Sequence, residues 1–406
     1  MDIPVLPVPR VDAATAIADG AMTGGAKRPR HLSKFFTLSQ INRRRWLNFK
    51  SNRRGYYSLI LFLLLFGLSL FAELLANDKP ILARYKGEWL VPVFVNYPEE
   101  KFGGFLAVTD YKDPVILDEI KAHGWMIWPP VRYSYSSINK DTPHTKSRSG
   151  SCLAFPDPPP WATRAALCDA PPDQLARFNA IGNRNWLGTD DQGRDVLARL
   201  IYGFRISVLF GLILTTLSTI LGVTAGAVQG YFGGKVDIFF QRFMEIWSSI
   251  PTLFVLIIIA SVLPSGFWVL LGILVLFEWV HLVNLVRAEF LRGRNLEYVT
   301  AARALGLSDV KIMYKHILPN AAIATLTFVP FMLSGAITSL TSLDFLGLGL
   351  PPGSPSLGEL ASQAYANLQA PWLGIAAFFS IASLLSLLIF IGEGVRDALD
   401  PRKTFR

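Results

Sequence analysis

The chain has 406 residues, of which 51% are hydrophobic and 17% are charged. This balance, with a mean hydropathy of +0.36, excludes an ordinary soluble domain and is typical of a polytopic membrane protein. The formal net charge is +9, but the positive residues cluster beside apolar segments. They form no basic and aromatic platform on a soluble domain, which excludes nucleic-acid binding.

The N-terminal region is strongly basic, with eleven Lys and Arg against three Asp and Glu in residues 1–55. The positive-inside rule predicts that 1–55 is a cytoplasmic segment. The apolar run at 56–76 is long enough to span a bilayer, so it indicates a signal anchor rather than a cleaved signal peptide. Aromatic and basic residues alternate in 34–54. This pattern fits either an interfacial helix on anionic lipid or an ordinary flank that sets topology.

Six apolar segments are each long enough to cross the membrane as helices. With the N-terminus inside, the basic loop at 289–319 and the tail at 393–406 are both cytoplasmic, as the positive-inside rule requires. We therefore predict an all-α protein with both termini in the cytoplasm, an extracytoplasmic insert at 77–203 and a five-helix core at 204–392. The predicted spans are 56–76, 204–228, 237–262, 267–288, 320–343 and 371–392.

The insert contains strand-like runs at Trp89–Val95 and Phe105–Thr109, broken by Pro and Gly. The chain's two cysteines, Cys152 and Cys168, also fall in the insert. Outside the cytoplasm two nearby cysteines can form a disulfide, although two unpaired thiols are the alternative. A disulfide here would stabilise the fold by roughly 3 kcal/mol in the chain-entropy estimate.

Ionisable residues inside predicted spans are costly in hydrocarbon and commonly functional. Glu278 and His281 stand three residues apart in the fourth span, so they share a helical face. They could line a translocation path, with Glu278 meeting a substrate amine, or form a buried pair that holds helices together.

The sequence lacks recognisable catalytic machinery. Gly230–Lys235 approaches a phosphate-binding loop but lacks its first Gly, and Val236 stands where Ser or Thr binds magnesium. No His-Glu-x-x-His, Gly-x-Ser-x-Gly or metal-spaced Cys and His set occurs. We predict that the chain is not an enzyme and binds no metal.

Residues 297–320 form a basic, helix-prone stretch between two very hydrophobic segments. Gly306 predicts the end of a first short helix, because Gly accepts the left-handed conformation found after a helix C-terminus. Ser308 can cap a second helix, and Pro319 predicts the start of the next span. Without further context, the same stretch would be a positively charged cytoplasmic loop.

This stretch resembles the EAA loop of ATP-binding-cassette (ABC) importer permeases, a cytoplasmic helix pair that docks onto an ATPase subunit. The family pattern is Glu-Ala-Ala, three residues, Gly, nine residues, an apolar residue, one residue, then Leu-Pro. Thr300 and His316 depart from the Glu and the apolar residue of that pattern. The resemblance implies that the ATPase-coupling residues are Thr300, Ala301, Ala302, Arg303, Gly306, Leu318 and Pro319.

Two further stretches resemble the dipeptide, oligopeptide and nickel branch of that family. Phe345–Gly349 resembles the loop after the fifth span of that family, although the family usually has Ser where Asp344 stands. The long insert and N-terminus resemble the oligopeptide and microcin C uptake subtype. The second stretch resembles the family signature that precedes the second span, and its charged residues together with Asp191 could form a surface ion network. The residues that match the signature are Leu187, Gly188, Thr189, Asp190, Gly193, Arg194 and Asp195.

The resemblance implies a type I importer permease fold and a permease subunit of an ATP-driven peptide importer in the bacterial inner membrane. It further implies a second permease, two ATPase domains that bind ATP and Mg²⁺, and an extracytoplasmic peptide-binding protein. This chain would contact membrane lipid and bind no cofactor itself. The alternatives are a proton-coupled secondary transporter using Glu278 and His281, a membrane enzyme, and a structural scaffold. The substrate and the number of ATPase chains stay open.

Overall fold

A computed structural model describes residues 40–139 and 185–400. In this part of the chain the structure is mostly helical, with a 3₁₀ turn at Glu99–Phe102 and a π-helical turn at Met313–Ile317. The helices are α1 (Gln40–Ser51), α2 (Arg53–Leu70), α3 (Ala72–Leu75), α4 (Pro114–His123), α5 (Val196–Phe232), α6 (Gly234–Ser248), α7 (Thr252–Val262), α8 (Phe267–Glu278), α9 (Val280–Gly293), α10 (Glu297–Ala304), α11 (Asp309–Ile312), α12 (Leu318–Phe345), α13 (Leu357–Ala366) and α14 (Pro371–Leu399).

In the described residues, five helical segments are long and apolar enough to cross a membrane, and six when the bent pair α6 and α7 counts as one span. The fold is therefore that of an all-α polytopic membrane protein. The predicted span at 237–262 is bent by 65° between α6 and α7. Pro251 lies at this bend, where its ring lacks an N–H and disfavours helix in the preceding residue.

Helix α5 lies at the centre of the helical bundle and packs most closely on α9. Three glycines one turn apart, Gly222, Gly226 and Gly230, face the backbone of α9. A Cβ atom added at Gly226 would lie 2.7 Å from the carbonyl oxygen of Val283, so only glycine permits this approach. The close contact holds the second and fourth predicted spans together.

Two apolar cores flank α5. One joins α5 to α7, α8 and α12 through residues such as Phe210, Leu270 and Leu340. The other joins α5 to α2, α12 and α14 through residues such as Phe62 and Leu388. Large apolar side chains also stay exposed on α2, α6, α7 and α14, as expected of surfaces that face lipid or another membrane subunit.

The described part of the insert is a small domain with a three-stranded sheet. The strands β1 (Leu82–Tyr85), β2 (Glu88–Leu90) and β3 (Gly124–Ile127) pair antiparallel in the order β2-β1-β3, and α4 packs against them. The predicted strand at Phe105–Thr109 is wrong, because this run is an irregular loop. The insert is tied to α5 by a 3.1 Å hydrogen bond from Tyr202 Oη to the carbonyl oxygen of Ala76.

Candidate functional site

The stretch that resembles a coupling loop folds as α10 and α11, separated by a tight turn at Gly306. Gly306 has a φ of +79°, and its N–H donates to the carbonyl oxygen of Arg303 at 3.0 Å. The N–H of Leu307 donates to the carbonyl oxygen of Ala302 at 3.2 Å. These two bonds form a Schellman motif, which explains why Gly stands at this position. Ser308 occupies the N-cap of α11, but its side chain makes no capping hydrogen bond.

The inner face of this helix pair is anchored on the ends of α5 and α9. Val299, Ala302 and Ile312 are buried in one apolar cluster with Phe290 of α9 and Tyr231 of α5. Because these side chains are closely packed, a displacement of α10 and α11 would be transmitted to the membrane helices beneath them.

A polar contact adds to this anchor. The Tyr231 hydroxyl donates to Asp309 Oδ1 at 2.5 Å and accepts from Arg303 Nη2 at 3.3 Å. The hydrogen bond with Tyr231 raises the pKa of the Arg303 guanidinium, a group that is already positively charged at neutral pH. One tyrosine of α5 therefore connects both short helices to the bundle.

The outer face of the same helices, here called the coupling surface, combines apolar and basic residues. Leu305 is 82% exposed, and Val310 and Tyr314 are exposed to a similar extent. Lys311 and Lys315 are exposed beside them. Exposed apolar residues rimmed by charge are typical of a protein docking surface.

Helix α11 continues into α12 without a break, so that Asp309–Phe345 form one continuous helical segment. Pro319 stands in the first turn of α12, as predicted for the start of the next long helix. A π-helical turn at Met313–Ile317 precedes Pro319, and this wider turn accommodates a residue that lacks an N–H. Of the remaining predicted coupling residues, Thr300 and Ala301 are exposed and Leu318 is half-buried.

The Leu187–Asp195 signature forms a tight loop before α5 rather than a surface network. Gly188 and Gly193 adopt positive φ angles of +75° and +79°. Asp190 is buried, and its Oδ2 lies 2.7 Å from Nε of the buried Arg194. The prediction of a surface ion network is therefore wrong in its exposure, although Asp190 and Arg194 do pair.

Two other signature residues accept hydrogen bonds from neighbouring helices. The Asp195 side chain caps α5 by accepting the N–H of Ala198 at 2.7 Å. The carbonyl oxygen of Thr189 accepts a hydrogen bond from Trp372 Nε1 at 3.2 Å. The loop is thus fixed to α5 and to the last long helix.

The network also includes two residues that the sequence analysis did not single out, Arg199 and Glu359. Arg199 is fully buried in α5, with Nη2 3.0 Å from Glu359 Oε2 and Nη1 3.4 Å from Asp190 Oδ2. Arg194 Nη2 lies 3.3 Å from Glu359 Oε1. The sequence signal that could have pointed to Arg199 is an arginine within a mostly apolar run, because arginine is rarely buried unless it is paired.

A family model described as "Binding-protein-dependent transport system inner membrane component" matches residues 204–405. The "Peptidoglycan transport system permease protein YejE" of Agrobacterium fabrum is 64% identical over 371 residues, which cover 91% of this chain and 95% of that protein. The chain belongs to this family of inner membrane transport components. The "Inner membrane ABC transporter permease protein YejE" of Escherichia coli is 56% identical to this permease over 367 residues, 90% of this chain and 98% of that protein.

A more distant relative of this permease is the "Oligopeptide transport system permease protein OppC" of Lactococcus lactis. It is 33% identical over 230 residues, 56% of this chain and 78% of that protein. Members of the family are non-catalytic permease subunits of ABC transporters, and ATP is hydrolysed on partner subunits. The described residues contain no group of three or more His, Cys, Asp or Glu that could hold a metal ion.

The candidate path residues of the permease lie where α8 passes into α9. His281 Nδ1 is 3.6 Å from Glu278 Oε2, so the two share a face as predicted. The side chains of His281 and Glu278 are 74% and 29% exposed in the isolated chain, and both the path-lining and the helix-holding role stay predictions. Cys152 and Cys168 lie outside the described residues, so their pairing stays a prediction.

Proposed function

We propose that this permease forms half of the translocation pathway of an ATP-driven peptide importer. Its partners would be a second permease, two ATPase domains carrying ATP and Mg²⁺, and an extracytoplasmic binding protein. The names of the relatives support a peptide substrate, since one is named for oligopeptide transport and another for peptidoglycan transport. Short peptides, including those released from peptidoglycan, are therefore the proposed cargo.

The observation that carries this proposal is the coupling surface and its anchorage. Leu305 and Val310 are exposed on one face of the short helices, while Val299 and Ile312 are buried on the other. A surface built in this way can receive force from an ATPase and pass it to α5, α9 and α12. The proposed coupling residues are Thr300, Ala301, Ala302, Arg303, Gly306, Leu318 and Pro319.

In the proposed cycle, ATP closes the ATPase pair, which draws the coupling helices together and opens the permease pair outward. Peptide enters from the binding protein, and hydrolysis returns the inward-facing state. Each ligand shifts the equilibrium because it binds one state better than the other. Glu278 and His281 are proposed to line the path, since they lie 3.6 Å apart on one helical face on which His281 is exposed.

The docking step is tested by affinity purification of the permease from mild detergent, with and without a block substitution of residues 300–306. We expect the ATPase to co-purify with the intact chain and to be lost with the substituted chain. A block substitution of the exposed residues 105–108 of the insert is the control. If no ATPase accompanies the intact chain in several mild detergents, the proposal is overturned.

The Gly306→Leu variant tests whether the coupling helices transmit force from the ATPase to the membrane helices. Nothing lies within 4 Å of a Cβ built at Gly306, so the substitution adds no clash and the strain comes from its φ of +79°. That strain is on the order of 1 kcal/mol, which leaves the fold intact. We expect ATP hydrolysis to continue while peptide uptake falls at least tenfold.

The matched control is Gly103→Leu, because Gly103 has a φ of +90° and equally open surroundings in the insert. This variant carries the same kind of backbone strain far from the coupling surface and should transport normally. Normal uptake by Gly306→Leu would contradict the proposal that the coupling helices transmit force from the ATPase. Equal losses in both variants would mean that strain alone, rather than its position, explains the defect.

A further inference from the structure

A cavity of about 250 Å³ lies where the Leu187–Asp195 loop, the loop after α12 and helix α13 meet. Three carboxylates line it, together with hydroxyl and amide side chains. Those that matter here are Asp191, Asp344, Glu359, Ser362 and Gln363. The cavity collects residues from parts of the chain more than 150 positions apart, and the coupling mechanism uses none of them.

The charges around this cavity do not balance. Arg194 and Arg199 both bridge Asp190 and Glu359, so these four groups neutralise one another. Asp191 and Asp344 have no Lys, Arg or His within ion-pair distance in residues 40–139 and 185–400. The cavity therefore holds two carboxyl groups that form no ion pair with a cationic side chain of the described residues.

Asp344 is the deeper of the two carboxylates, at 8% exposure. Its Oδ1 accepts the N–H of Leu350 at 2.7 Å, and its Oδ2 accepts the hydroxyl of Ser356. A carboxylate has about four acceptor positions, so each oxygen can accept another donor. Burying such a group without a cation is unfavourable.

Gln363 gives a second, independent indication of a ligand. It lines the same cavity and is only 7% exposed. Its Nε2 donates to Glu359 Oε1 at 3.4 Å, but its Oε1 accepts no hydrogen bond in the part of the chain that the structure describes. Buried polar atoms are rarely left unpaired, so a donor that enters the cavity would satisfy this acceptor.

At the rim, Asp191 is more accessible than Asp344. Burial and the neighbouring Asp190 carboxylate raise the pKa of the Asp191 carboxyl, which is the direction expected for a carboxylate without a bound cation. A cation placed between Asp191 and Asp344 would reverse that effect.

We propose that this cavity binds a primary ammonium group, namely the N-terminal ammonium of the transported peptide. An ammonium offers three N–H donors and one positive charge, which match the Asp344 and Asp191 carboxylates and the carbonyl of Gln363. A volume of about 250 Å³ also leaves space for the first residue of a peptide. This inference rests on the proposed function, because it takes the cavity as an entry subsite for the imported peptide.

The test uses the complete transporter with its binding protein, reconstituted into liposomes. Uptake of Ala-Ala-Ala is compared with uptake of its N-acetylated form, and the half-saturating concentration is measured for each. The variants are Asp344→Asn, which keeps the size of the side chain, and Asp191→Asn at the accessible rim. Asp118→Asn on the exposed face of α4 is the matched control.

The binding protein is the same in every sample, so any change in the preference for the free N-terminus belongs to the permease. We expect Asp344→Asn to reduce this preference about tenfold, the effect of losing one charge-assisted hydrogen bond. Asp191→Asn should reduce it by a smaller factor, and Asp118→Asn should leave it unchanged.

An unchanged preference in both cavity variants, with uptake still driven by ATP, would overturn the ammonium site. Equal losses of uptake for both peptides, with weaker docking of the binding protein, would also overturn the ammonium site. That result would indicate that the cavity binds a basic side chain of the binding protein. If the unmodified transporter took up neither peptide with ATP, the proposed function itself would fail.

Discussion

At the scale of single residues, loss of the Arg199 side chain should destabilise the permease most. It is fully buried and contacts both Asp190 and Glu359. Arg199→Met leaves these carboxylates with only Arg194, and breaking a buried ion pair costs about 3–5 kcal/mol. We expect a melting temperature lower by several degrees or more, measured by thermal unfolding of the purified permease in detergent.

The control for Arg199 is Arg242→Met. Arg242 also pairs with a carboxylate, that of Glu245 at 2.6 Å, but both side chains are exposed. Exposed pairs contribute little, so this variant should melt like the unmodified permease. Equal melting temperatures for the two variants would mean that burial does not make the Arg199 network important.

Asp195 gives the permease a distinct dependence of stability on pH. Burial raises its pKa from 3.8 to about 7, against the opposing effects of the Ala198 N–H and Lys112. Between about pH 4 and 7 the folded state therefore keeps a proton that the unfolded chain has released. The contribution of Asp195 to stability therefore falls as the pH rises through this window.

The Asp195→Asn variant should remove this pH dependence. Asn can still accept the Ala198 N–H, so the cap on α5 is kept. Melting temperatures measured from pH 4.5 to 7.5 should fall less steeply with pH than in the unmodified permease. Asp113→Asn, which changes the exposed cap of α4, is the control and should keep the original slope. A slope unaltered by Asp195→Asn would contradict the assignment.

At the scale of helices, the contact between α5 and α9 depends on the absence of side chains. A Cβ at Gly226 would lie 2.7 Å from the Val283 carbonyl oxygen, whereas nothing lies within 4 Å of a Cβ at Gly272 of α8. Gly226→Ala should push the helices apart and destabilise the permease by about 1–3 kcal/mol. Gly272→Ala should be neutral or stabilising, because Ala favours helix by up to about 1 kcal/mol.

Thermal unfolding of the two glycine variants in parallel measures this contrast. Opposite shifts in melting temperature are expected from the same chemical change, one added methyl group. A stable Gly226→Ala variant would show that α5 and α9 can repack, and that their close approach is not required for the fold.

Local patterns were sufficient to predict several elements from the sequence. The turn at Gly306 follows from its residue type, since a positive φ after a short helix selects glycine. The helical spans follow from the length of their apolar runs. The bend at Pro251 was missed because the span was assigned from the length and mean composition of the whole segment, which do not register the effect of a single proline.

Contacts between distant segments could not be predicted in the same way. Asp344 lies more than 150 residues beyond Asp191, and only the packing of α13 against α5 and α12 brings their loops to one cavity. Arg199 had no visible partner in its own segment, because Glu359 is 160 positions away. Burial of the signature network likewise depends on tertiary packing rather than on local residue type.

At the scale of the whole molecule, the first and last long helices meet at one end. Asn52 Nδ2, just before α2, donates to Asp397 Oδ2 of α14 at 3.1 Å. A Cβ at Gly55 would lie 2.9 Å from the Cα atom of Gly394, so the two helix ends are in close contact. This arrangement supports the proposal that both flanks of the helical bundle lie on the same side of the membrane.

The proposed orientation can be tested with single cysteines in a Cys152→Ser, Cys168→Ser background. Phe105, 96% exposed in the insert, and Ser51, exposed before α2, are the two positions. If the basic flank is cytoplasmic, a membrane-impermeant maleimide should label Phe105→Cys in intact spheroplasts but Ser51→Cys only after permeabilisation. The reverse pattern would invert the topology. Because the coupling surface and the ammonium cavity lie at opposite ends of the bundle, it would also place each on the wrong side for its proposed role.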